Sequence, residues 1–77
     1  MVEAMVFITL APGGGLQEDA ISQIRQISNV AWVRTLFGAI DAIAFVEGAD
    51  LAGVKPTIRQ IRSTPGVDRT TTHIVVS

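Results

Sequence analysis

The chain contains no cysteine, no tyrosine and a single histidine in 77 residues. Without cysteine, disulfides and thiolate metal sites are excluded. One histidine, with no carboxylate cluster at ligand spacing, gives no reason to expect a structural metal, and no cofactor is expected either. Charge is also scarce: 17% of residues are charged, the net charge is −1 and the isoelectric point is about 5.6. A bare nucleic-acid binder is normally basic, so direct DNA or RNA binding is not expected. No apolar run approaches the roughly 20 residues of a membrane helix. The opening Met1-Val2-Glu3-Ala4-Met5 carries an acid and no basic segment, unlike a signal peptide, so the expected location is the cytoplasm.

What the chain has in plenty is apolar surface. The hydrophobic fraction is 48% and the mean hydropathy +0.44. A single domain of this size buries only roughly 60–65% of its unfolded surface. With disulfides and metals set aside, association with another subunit is the remaining means of stabilising it.

Residues 3–10, with Ala4 to Leu10 apolar or β-branched, predict a strand apolar on both faces and therefore covered on both. Pro12-Gly13-Gly14-Gly15 ends it. Residues 16–27 change period: Leu16, Ala20, Ile21, Ile24 and Ile27 share one helical stripe, with Glu18 and Asp19 in the first turns, where the helix dipole favours acids. Residues 30–36 and 41–46 read as two strands joined through Phe37-Gly38-Ala39-Ile40 in a hairpin. Asp50 is placed to cap a second helix running to about Ser63, with Leu51, Val54, Ile58 and Ile61 as its apolar stripe. Pro56 falls inside it, predicting either a kink or a loose first turn before a helix that begins near Pro56. Pro65-Gly66 stops it, and residues 67–76 form the last strand.

The two halves repeat. Ile21-Ser22-Gln23-Ile24-Arg25 matches Ile58-Arg59-Gln60-Ile61-Arg62 at four of five positions, and the same offset aligns Asn29-Val30 with Gly66-Val67. Two βαβ halves at a fixed offset predict an α+β, ferredoxin-like βαββαβ plait: a four-stranded antiparallel sheet with two helices on one face. The other face would then be apolar and bare. A second copy packed through the sheets in a symmetric homodimer would cover it.

The chain resembles the effector-binding (RAM) domain of the Lrp/AsnC family of transcriptional regulators. The likeness rests on Ala4-Met5-Val6-Phe7-Ile8, on residues 30–46 with the Gly38-Ala39-Ile40-Asp41 turn, and on Asp50-Leu51, Ile58 and Ile61. It continues through Pro65-Gly66-Val67, Thr70, Thr72 and Ile74-Val75-Val76. The resemblance implies a single domain over residues 1–77 without the helix-turn-helix of full-length members. It also implies homodimers, often assembled into octamers or decamers, and a pocket for a free amino acid or related metabolite where dimers meet. Carried over position by position, the effector-binding wall is Leu36, Phe37, Gly38, Ala39 and Asp41 with Thr70 and Thr72. Such a domain would regulate transcription of metabolism without catalysis, by co-assembly with DNA-binding relatives.

Each of these residues also has a plain structural reading. Gly38 would adopt a positive φ in a hairpin and Asp41 would cap free turn amides. Thr70 and Thr72, of one side-chain parity, would serve β-propensity. Gly13-Gly14-Gly15 matches no phosphate-binding motif and reads as a flexible loop. Lys55, Arg59 and Arg62 read as a solvated helix face. Trp32, beside Arg34 on one strand face, reads as a packed or interfacial aromatic. The alternative function is a small dimeric α+β barrel enzyme, an isomerase or monooxygenase, with His73 as base. That base would need a pocket and a polar partner.

Overall fold

In β1 (Val2–Leu10), Ala4, Val6 and Ile8 are fully buried, while Met5 and Phe7 between them are half-buried. The computed structural model describes residues 1–13 and 16–76, so Gly14, Gly15, Ser77 and the Leu16 side chain lie outside the described residues. The loop expected at Gly13-Gly14-Gly15 falls largely there. After β1 come α1 (Leu16–Arg25), β2 (Val30–Thr35), β3 (Ala42–Gly48), α2 (Leu51–Arg62) and β4 (Val67–Ile74). The strands form one antiparallel sheet in the order β2-β3-β1-β4. This is the ferredoxin-like plait predicted from the repeat.

Register fixes which side chains share a face. Ala4, Val6 and Ile8 of β1 stand opposite Val46, Ala44 and Ala42 of β3. These residues, with Val33, meet Ile21 and Ile24 of α1 and Val54 and Ile61 of α2 in one core. Small Ala42 and Ala44 in mid-sheet leave room for the bulkier isoleucines, a complementarity that close packing requires. Gly48 is glycine for the same reason: a Cβ there would lie 2.8 Å from Val54 Cγ2.

Several boundaries shift from those expected. α1 stops at Arg25 rather than Ile27, and Gln26 and Ile27 close tight turns onto Gln23 and Ile24. β2 ends at Thr35, β3 runs from Ala42 to Gly48, and β4 ends at Ile74. α2 settles the question at Pro56. The helix starts at Leu51, with Asp50 Oδ1 accepting from the Gly53 amide at 2.9 Å, and continues through the proline. Leu51 is exposed rather than part of the buried stripe. Its place is taken by Thr57, only 2% exposed, whose hydroxyl donates to the Ser28 carbonyl at 2.8 Å and ties α2 to the end of α1.

The repeat is also one of backbone geometry. After each helix the chain turns through a left-handed residue, Asn29 (φ 74) in the first half and Gly66 (φ 96) in the second. Ile27 and Val30 donate to Ile24 and Ile27 in one corner, and Thr64 and Val67 to Ile61 and Thr64 in the other. Asparagine and glycine are the two residues that reach this conformation at least cost.

Candidate functional site

The hairpin loop between β2 and β3 lies beside the C-terminal end of β1, and Asp41 fastens it there. The Asp41 amide donates to the Ile8 carbonyl at 3.0 Å, and its carbonyl accepts from the Leu36 amide at 2.8 Å. Its carboxylate Oδ2 accepts from the Leu10 amide at 2.7 Å. Leu10 sits at a register break between β1 and β4, at Thr9/Leu10. The expectation that Asp41 would cap amides of its own turn is corrected: its carboxylate serves another strand.

The expectation for Gly38 is corrected as well. Its φ is not positive, and a Cβ on it would meet nothing within 4 Å. The loop does not need glycine for its shape. Around it, Leu36 is 45% exposed and the Phe37 ring stands fully in solvent.

Behind this loop, between α1 and the β2–β3 end of the sheet, is a cleft of about 500 Å³. Leu36 and Asp41 line it, together with residues that sequence reasoning missed: Leu10 from β1, Thr35 from β2, and Glu18, Ile21 and Arg25 from α1. A signal for the helical ones was present, because Glu18, Ser22 and Arg25 follow the spacing of one helix face. Arg25 Nη2 donates to the Val33 carbonyl at 3.1 Å, which holds the guanidinium against β2. The cleft thus combines an apolar floor with two carboxylates and one guanidinium. It can receive a small molecule that carries charges of both signs and an apolar part.

Thr70 and Thr72 stand opposite Ile8 and Val6 in β1, so both point to the helix-covered face, as their shared parity predicted. They do not line the cleft behind the loop. The Thr72 hydroxyl is covered and has no hydrogen-bond partner among the described residues. Phe37, Gly38 and Ala39 are exposed in the loop itself. A single chain therefore brings Leu36 and Asp41 together in a cleft and leaves the two threonines apart from it, on the far edge of the sheet.

His73 is on the opposite, open face of the sheet. It is paired with Met5 and stands edge-on to the Phe7 ring at 5.4 Å. Trp32 lies on that same face, stacked on Phe45 with ring centroids 5.3 Å apart and an interplanar angle of 7°. Lys55, Arg59 and Arg62 are exposed along α2.

Comparison with known proteins places this arrangement among others. The Lrp/AsnC ligand binding domain family matches residues 3–77. No curated protein matches the chain. Among solved structures, TTHA0845 from Thermus thermophilus is 29% identical, with a TM-score of 0.86 over 100% of this chain and 95% of its own. The hypothetical protein PHS023 from Pyrococcus horikoshii is 26% identical, with a TM-score of 0.84 over 100% of this chain and 92% of its own. The transcriptional regulator NMB0573 from Neisseria meningitidis, solved as a complex with L-Met, shares the fold at a TM-score of 0.86 and 17% identity. There 99% of this chain matches only 50% of the longer protein.

Proposed function

Because the chain belongs to the Lrp/AsnC ligand binding domain family, we propose that it is a non-catalytic effector-binding and oligomerisation domain. It serves transcriptional regulation in the cytoplasm, and its effector is a free amino acid or a related metabolite. The observation that carries this reading is the loop held by Asp41 over a cleft with both carboxylate and guanidinium groups. An α-amino acid needs partners of both signs for its ammonium and carboxylate, and Leu10, Ile21 and Leu36 offer an apolar wall for its side chain. The L-Met found with the Neisseria meningitidis regulator is a ligand of this chemistry on the same fold.

In this reading the exposed loop residues Leu36, Phe37, Gly38 and Ala39, with Asp41, form one wall of the effector site. Thr70, on the edge strand β4, comes from a neighbouring subunit of the assembly, with Thr72 behind it, its hydroxyl covered. The subunits are homodimers joined through the open sheet faces and built up further into octamers or decamers. Co-assembly with DNA-binding relatives is the route by which the effector acts. A ligand changes such an assembly only through different affinities for its alternative states.

Native mass spectrometry with and without a mixture of free amino acids tests the proposal. An even-numbered assembly that takes up one discrete small mass per subunit or per pair supports it and identifies the ligand. An assembly that binds nothing overturns the effector. The enzyme reading rests on His73, which has the Phe7 ring beside it and does not line the cleft.

A further inference from the structure

The charges of the cleft behind the β2–β3 loop are sorted by position. The acids are at one end. α1 begins beside the end of β1, where Gln17 Nε2 donates to the Ala11 carbonyl at 3.5 Å. Glu18, in the first turn of the helix, is therefore at the level of Leu10, and both line the cleft. Asp41 is at that level too, because its carboxylate accepts from the Leu10 amide. The guanidinium is at the other end. Arg25 is in the last turn of α1 and donates to the carbonyl of Val33. Val33 precedes Leu36, the residue whose amide donates to the Asp41 carbonyl.

Two rulers give the separation. From Glu18 to Arg25 the helix rises about 10 Å and returns to the same face. From Val33 to Leu36 the extended chain also rises about 10 Å. The charges are not cancelled within the cleft. Arg25 is bonded to a carbonyl and Asp41 to a backbone amide, neither of which carries a net charge. Asp19, next to Glu18 in the first turn, adds another acid to that end. Together they outweigh the roughly half a positive charge of the helix N-terminus.

A ligand that satisfies both ends needs a carboxylate for Arg25 and a cation well removed from it. The ammonium and carboxylate of a neutral amino acid are on one carbon and reach one end only. Its side chain would leave the acids to water, without charge-assisted bonds. An acidic side chain would set a further carboxylate against Glu18 and Asp41, and that repulsion rejects it. We infer that the effector of this chain is a basic amino acid, lysine or arginine in kind. Its α-carboxylate is on the Arg25 guanidinium and its side-chain cation is between Glu18 and Asp41. The α-ammonium then faces the hydroxyls of Ser22 and Thr35, which line the cleft between the two ends. The inference rests on the effector reading above and adds the class of amino acid that the cleft's own charges select.

Isothermal titration calorimetry of the intact chain tests it, with L-lysine, L-arginine, L-norleucine and L-glutamate as probes. L-norleucine is L-lysine with the side-chain ammonium replaced by hydrogen. At least one basic amino acid is expected to bind about tenfold or more tightly than L-norleucine, with L-glutamate the weakest. Glu18 is exposed, so Glu18→Gln should leave the far-ultraviolet circular dichroism spectrum and the affinity for L-norleucine unchanged. It should remove most of the advantage of the basic ligand. Cadaverine, which is lysine without its carboxylate, should bind more weakly than L-lysine by about tenfold or more. L-norleucine binding as tightly as both basic amino acids, a preference undiminished in Glu18→Gln, or cadaverine binding as tightly as L-lysine would overturn the basic effector while leaving the amino-acid reading standing. Binding of no amino acid at all fails that earlier reading, and this inference with it.

Discussion

The carboxylate of Asp41 and the backbone amide of Leu10 are joined by a 2.7 Å hydrogen bond between residues 31 positions apart. Among the described residues it is the one side-chain bond that fixes the β2–β3 loop to the central strand. With the backbone bond from the Asp41 amide to the Ile8 carbonyl, it holds the loop over the cleft.

Asp41→Ala removes the acceptor and leaves a partly buried amide unpaired. The expected loss is about 1–2 kcal/mol of stability, read as a lower urea midpoint with an unchanged slope. Asp41→Asn keeps a neutral acceptor and should lose less. Under the proposed function both variants also lose amino-acid affinity, because the anchored loop and one carboxylate of the cleft go together.

Gly38→Ala separates folding from binding. The added methyl meets nothing within 4 Å and the backbone conformation is an ordinary one. Stability is expected to change by less than about 0.5 kcal/mol. A fall in effector affinity measured by calorimetry would then report a ligand or neighbouring subunit close to this backbone. Unchanged affinity would remove Gly38 from the effector site.

The two left-handed corners should respond unequally. Gly66→Ala forces a side chain into φ 96 and is expected to destabilise by about 1–2 kcal/mol. Asn29→Gly eases the backbone at φ 74 but forfeits the bond from Asn29 Nδ2 to the Gly53 carbonyl at 3.2 Å. Its net change should stay within about 0.5 kcal/mol. Thermal unfolding of the two variants side by side checks the asymmetry.

Ile61→Ala empties a fully buried position between α2 and the sheet. A loss of about 2–5 kcal/mol is expected from the cavity, large enough for a domain this short to unfold near room temperature. Leu51→Ala, at an exposed position on the same helix, should cost under about 1 kcal/mol. Urea titrations of the pair test whether the buried stripe is the one described.

Trp32 is the sole tryptophan and is 39% exposed on the open sheet face. Sheet-to-sheet dimerisation should cover it. Its fluorescence emission is expected to shift to shorter wavelength as protein concentration rises through the dimer dissociation constant. Constant emission across that range would place the contact elsewhere.

The plait was legible because its information is local and written twice. The stripe through Ile21 and Ile24 recurs at Ile58 and Ile61, and the corner at Asn29 recurs at Gly66. Asp50 reads as a cap because its partner is only three residues away. Thr57 was not legible: it has the spacing of Val54 and Ile61, but a threonine carries no apolar signal, and its partner Ser28 lies in the distant turn after α1. The plain structural reading of Asp41, as a cap of its own turn, failed for the same kind of reason. A turn motif predicts bonds within the turn, and here the decisive partner, Leu10, belongs to the first strand of the chain. Of the candidate site, Leu36 and Asp41 share a cleft, while the contribution of α1 was visible only as the spacing of Glu18, Ser22 and Arg25.

The strand order has a consequence for how the chain reaches this structure. β1 is made first yet lies between β3 and β4, and its residue Ala4 is paired with Ile74 at the far end of the chain. A nascent chain that lacks its last strand can form α1 and the β2–β3 hairpin early, since hairpins close within microseconds. The central strand has one unpaired edge until the last strand is released. Folding is thus completed only once β4 has emerged, with the long-range closure that slows two-state domains. Until then Val6 and Ile8 are shielded on one edge only, and the emerging chain depends on β4 following quickly or on being held apart from its neighbours.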